Sequence, residues 1–254
     1  MIWTTYILNQ TKQKYKTANA GKERKNMASA KELIKIEPLK KKIVKLRIIG
    51  DSPLITHNWA VTAQRAILES EMGIKKVEKL KKNPYEDFAS SLYWLDKMPE
   101  KITKETLDEA IGNNARFGFP LTGIKQASIS YAFRLKWSKD KASLRGIFFI
   151  EPEMNGYYSG DLEVSEDEKS IHIIPNVFHP EPMVEIHYER LTMRRDMVRV
   201  GMGSADIRYR GQFDNWYADL TISFNENGQY NLDQIMTMIN AGGYSCGLGE
   251  WRPE

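Results

Sequence analysis

Between Leu191 and Gly211 the chain reads Leu-Thr-Met-Arg-Arg-Asp-Met-Val-Arg-Val-Gly-Met-Gly-Ser-Ala-Asp-Ile-Arg-Tyr-Arg-Gly. Arg194, Arg195, Arg199, Arg208 and Arg210 fall in this stretch, and arginine grips phosphate through paired N–H donors and stacks on bases. Over 190–210 six basic residues meet two acidic ones, Asp196 and Asp206, so local pairing cannot neutralise them all. Gly201 and Gly203 allow a sharp bend that brings backbone N–H groups near an anion. Ile207 to Arg210 alternates as a strand does, which puts Arg208 and Arg210 on one face. A solvated, salt-bridged loop is the plainer alternative. The stretch predicts an anion-binding surface with nucleic acid as its leading ligand, and no reaction.

A second group lies at the end of the chain, in Gly242-Gly-Tyr-Ser-Cys-Gly-Leu-Gly-Glu-Trp-Arg252. Gly242, Gly243, Gly247 and Gly249 would let a backbone approach phosphates closely. Tyr244 and Trp251 could stack bases, and Arg252 could hold a phosphate. His57 and Trp59 follow a strand, where loops carry function; helix capping and packing explain them equally well. Lys125 adds a cation on a helix.

Two hydrolytic signatures are missing: there is no HExxH and no Walker A motif. His172 and His187 fall in strands and read as structural. A metal site built from His57 or His179 with Asp51 or Asp206 has no supporting spacing. No metal, cofactor or catalytic residue is predicted. The single cysteine, Cys246, excludes an internal disulfide and reads as a buried, structural thiol.

These groups need elements to position them. Residues 1–42 are polar, basic and without periodicity, and read as a disordered arm. Met27 resembles an ordinary start, so 1–26 could be an upstream extension dispensable for folding. Residues 43–254 read as one α+β domain. Ile43–Ile49 is a strand. Helices follow at 60–82, 85–95, 104–111 (capped by Thr103) and 122–137, with a tight connector at Phe117–Pro120, so 60–137 is a helical insertion. Strands come at 146–150, 157–167, 171–174, 184–188 and 216–224. The β and arginine-rich residues 153–212 form a second insertion. Asn231 caps a helix over 232–240 that Gly242-Gly243 stops, and a glycine-rich strand closes the chain. Without insertions the order is βαββαβ, a ferredoxin-like (RAMP- or RRM-like) core sheet.

The formal net charge of +4 is unevenly spread: 13 Lys/Arg and 3 Asp/Glu within 1–50 give +10, and the remainder carries −6. Polyanion binding would then depend on local patches. No apolar run reaches the length of a membrane span, and the expected setting is a cytoplasm.

Three motifs, Ile48–Trp59, Met193–Arg210 and Gly247–Glu254, resemble a family of tailed-phage and prophage proteins over about residues 43–254. That resemblance implies a phage-infected bacterial host and names no activity. A looser one, carried by the helix and following glycines, is to RAMP proteins, the RNA-binding subunits of CRISPR effectors. It implies a ferredoxin-like fold with an RNA-contacting insertion, the place the arginine stretch would take; Glu250 stands where RAMP loops are more basic. Together the readings predict a non-enzymatic phage protein that binds single-stranded RNA or DNA, coating strands as a homo-oligomer or within a CRISPR-like assembly. The alternatives are a structural or assembly protein whose arginines bind acidic partner subunits, and a metal-dependent nuclease.

Overall fold

The computed structural model describes residues 3–10, 38–74, 82–165, 170–200 and 204–250. It is a mixed α+β structure with three small antiparallel sheets. The central sheet has four strands in the order β1 (Trp3–Gln10), β2 (Lys41–Gly50), β10 (Tyr217–Asn225) and β5 (Phe148–Glu151). Alternation builds it. Val44, Leu46 and Ile48 face one side of β2, and the register sets them against Ile222, Leu220 and Ala218 of β10. All six are buried, and they join the apolar residues of α4 (Leu121–Arg134) and α6 (Leu232–Ser245) in one core.

Helix limits follow capping chemistry. Asn83 accepts from the Tyr85 N–H to start α2 (Pro84–Ser90), and Thr103 forms a capping box with Thr106 at α3 (Lys104–Gly112). The α1 helix (Val61–Glu71) covers only part of 60–82, and 75–81 lie outside the described residues. A short α5 (Lys141–Arg145), not expected, precedes β5.

Four expectations are corrected. Residues 3–10, assigned to a disordered arm, form a strand on the free edge of β2, with Tyr6 opposite Arg47; residues 11–37 lie outside the described set. The α6 helix runs through Gly242 and Gly243 instead of stopping before them. A Cβ on Gly242 would lie 2.7 Å from the Ser128 Cα, so its missing side chain lets α4 and α6 pack closely, and that packing carries the helix onward. Residues 246–250 are not a strand. Phe117–Pro120, read as a connector, contributes β4 (Gly118–Pro120).

The smaller sheets carry the long excursions. β4 pairs with β7 (Ile171–Glu185), which pairs with β6 (Met154–Val164). β3 (Leu54–Thr56) pairs with β9 (Ser204–Asp214), which pairs with β8 (Arg190–Val200). The arginine stretch is therefore a β-hairpin, anchored at its base by Leu191 and Phe213 in the core. Among the described residues no helix is long and apolar enough to cross a membrane.

Candidate functional site

Residues opposite one another in the hairpin share a face. Arg194 lies opposite Arg210, and Asp196 opposite Arg208. This face is an ion ladder. The Arg194 Nε–H donates to Asp196 Oδ1 at 2.8 Å, and its Nη1 reaches Gln212 Oε1 at 3.3 Å. Arg210 is 2% exposed. Its Nε–H donates to His57 Nδ1 at 3.0 Å, its Nη1 to Asp196 Oδ2 at 3.4 Å, and its Nη2 lies 3.6 Å from Glu250 Oε2. The imidazole must be neutral to accept at Nδ1, so its proton sits on Nε2. Burial lowers the His57 pKa, and the charges of Arg210 and Arg208 lower it further against the opposing pull of Glu250.

The other face carries Met193, Arg195, Met197 and Arg199 on β8, opposite Gly211, Tyr209, Ile207 and Ala205 on β9. Near the base it is covered: Leu92 fills the space a Gly211 side chain would need. Farther out it is open, and Met197 is 76% exposed, with Met193 and Ile207 also exposed. No carboxylate lies on this face between Leu191 and Phe213. Arg195 and Arg199 are exposed and form no ion pair among the described residues.

Beside β9 lies a cleft of about 870 Å³. It opens where β3 stops at Thr56 and the chain turns through His57 to Ala60 into α1; α2 supplies the far wall. Its lining includes His57, Asn58, Trp59, Asp87, Arg208 and Tyr209. Trp59 is 56% exposed. Asn58 is 8% exposed and near the Tyr157 hydroxyl, yet its Nδ2 meets no acceptor in hydrogen-bond geometry. Lys82 Nζ bonds Asp206 at 2.7 Å and stands 3.7 Å from Asp87, while Arg208 Nε is 3.8 Å from Asp206. The hydrogen bond from Lys82 pulls the Asp206 pKa down, whereas burial pushes that of Asp87 up.

No family model, curated protein or solved structure matches this chain.

The anticipated residues are thus divided. His57, Trp59, Arg208 and the hairpin arginines meet around β9. Arg194 and Arg210 are both held by Asp196, while Arg195 and Arg199 form no ion pair among the described residues. Gly242 and Gly243 are buried inside α6, and Tyr244 is exposed at that helix's end. Gly247 and Gly249 both have a φ of 72°, and a Cβ on Gly249 would lie 2.3 Å from the Ile55 carbonyl oxygen. That close approach lets Glu250 N–H bond Ile55 O and places the Glu250 carboxylate at Arg210. Lys125 sits elsewhere, with its Nζ 4.5 Å above the Phe149 ring. Gly201, Gly203, Trp251 and Arg252 lie outside the described residues. Among the described residues no three His, Cys, Asp or Glu side chains converge as a metal site. Cys246 is buried, at the C-cap of α6 and not on the expected core strand. Asn58, Lys82 and Asp87 were missed: Lys82 reads in sequence as one of a run of helix-end lysines, and Asp87 as an ordinary first-turn helix acid.

Proposed function

We propose that the protein binds single-stranded nucleic acid without catalysing a reaction, and that the open face of the β8–β9 hairpin is the contact surface. One observation carries this reading. Arg195 and Arg199 stand exposed on a face without carboxylates, interleaved with Met193, Met197 and Ile207. Cations spaced along a strand suit a repeating phosphate chain, and the apolar side chains between them suit bases. Direct titration of a labelled oligonucleotide across a salt series tests it: binding must weaken with salt and depend on both arginines.

The fold is read as a ferredoxin-like core. In the order β1-β2-β10-β5, the edge place beside β2 goes to the N-terminal strand instead of a C-terminal one. The phage and RAMP resemblances fit a cytoplasmic, strand-coating homo-oligomer or a CRISPR-like assembly in a phage-infected host.

A second reading, assembly with an acidic partner subunit, is favoured by the exposure of Met197 beside the two arginines. Apolar area of that kind also suits a protein interface. An acidic protein partner would bind the hairpin without oligonucleotide binding being measurable.

A further inference from the structure

The hairpin face does not account for the cleft on the other side of Tyr209. We infer that this cleft is a nucleobase pocket, stacking an unpaired base against Trp59 and selecting bases that carry an exocyclic amino group. The inference rests on the nucleic-acid reading of the hairpin and adds what the strand's bases meet there.

Size is the first support. A volume of about 870 Å³ lies within the ~300–1,000 Å³ of small-molecule sites and exceeds what one base fills. Chemistry is the second. A large aromatic ring left 56% exposed at a cleft is costly in water and useful as a stacking platform. Polar groups of both kinds line the same cleft. His57 offers the donor: Arg210 occupies Nδ1 and leaves the proton on Nε2. Asp87 offers the acceptor, since Lys82 reaches it only at 3.7 Å and spends its short bond on Asp206.

A carboxylate beside an N–H donor matches the amino group and adjacent ring nitrogen of cytosine or adenine. Carboxylates accept from the cytosine amino group in just this sense. Uracil and thymine present a carbonyl oxygen where the amino group would be, and an ionised Asp87 repels it. Tyr209 belongs both to the hairpin, opposite Arg195, and to the cleft lining, so a strand lying on the open face has a short path to the pocket.

The test compares fluorescein-labelled oligo(dC) and oligo(dT) of equal length by anisotropy at fixed salt. The proteins are wild type, Trp59→Ala, Asp87→Asn and Arg195→Ala/Arg199→Ala, each checked for folding by circular dichroism. The expected result is that wild type prefers oligo(dC) by about tenfold or more, the discrimination of one good polar contact pair. Trp59→Ala should weaken both ligands by about tenfold, the loss of one stacked base. Asp87→Asn should abolish the preference, weakening oligo(dC) binding and relieving the repulsion of oligo(dT). Equal wild-type affinities for the two ligands, with Trp59→Ala silent and the arginine double variant still weakened, would overturn the pocket and leave the hairpin reading standing. Failure of folded wild type to bind either ligand would overturn the hairpin reading, and the pocket with it.

Discussion

The Nε–H of Arg210 donates to Nδ1 of His57 across 3.0 Å, from a side chain that is 2% exposed. This bond joins the hairpin to the loop that carries Trp59. Asp196 and Glu250 complete the guanidinium's surroundings, so Arg210 builds the site and does not contact a ligand. Replacing it should take one arginine partner from the buried Asp196, which keeps Arg194 at 2.8 Å. Arg210→Ala is expected to cost about 1.5–3 kcal/mol, the worth of hydrogen bonding to a charged group, read as a lower urea midpoint. Arg210→Lys should recover little, because the three donors of an ammonium sit on one atom and cannot span the partners that the planar guanidinium reaches.

His57 sets the pH response of this junction. Its folded pKa lies below the ordinary 6.5, chiefly through burial. The unfolded chain therefore takes up a proton at a higher pH than the folded one. Stability is full above about pH 6.5 and is lost as pH falls from there through the folded pKa. Urea midpoints measured in steps downward from neutral pH should decline, and less so in His57→Gln. An imidazole NMR titration should give a midpoint below that of a free histidine.

Gly242 predicts a packing defect. A Cβ there would sit 2.7 Å from the Ser128 Cα, against backbone that cannot swing aside. Gly242→Ala should destabilise by about 1–3 kcal/mol, the range for overpacking, even though alanine is the better helix former. A raised melting temperature would contradict the close α4–α6 approach.

Pairing of Trp3–Gln10 with β2 makes the N-terminus structural. A chain starting at Met27 loses that strand and uncovers the β2 edge. It should melt at a lower temperature and aggregate more readily than the full chain, as thermal unfolding with light scattering would report.

Some of this was legible in the sequence because the signals are local. The apolar content of 43–49 and the alternation in 216–224 mark the two central strands, and Thr103 and Asn231 mark helix starts through their own side-chain caps. The other features depend on distant partners. Residues 3–10 look like a polar arm until β2 offers an edge. Gly242 and Gly243 look like a stop until α4 needs the space. Arg194, Arg195, Arg199, Arg208 and Arg210 look equivalent in one dimension; strand register divides them into a ladder held by Asp196 and an open face. Lys82 and Asp87 enter the cleft only because α2 packs beside β9, which no spacing within either segment announces.

That division of arginines is the centre of the account, and salt dependence of oligonucleotide binding tests it most directly. Each phosphate contact on a single strand contributes about 0.7 to the slope of log K against log[salt], so Arg195→Ala/Arg199→Ala should flatten the slope by roughly 1.4. Both side chains are exposed, so the fold should be retained, as circular dichroism would verify. Fluorescence anisotropy of a labelled oligonucleotide across a salt series, wild type against the double variant, should give the flattened slope and a weaker Kd at every salt. An unchanged slope and affinity in the folded double variant would contradict the account and leave assembly with an acidic partner subunit as the role of the hairpin.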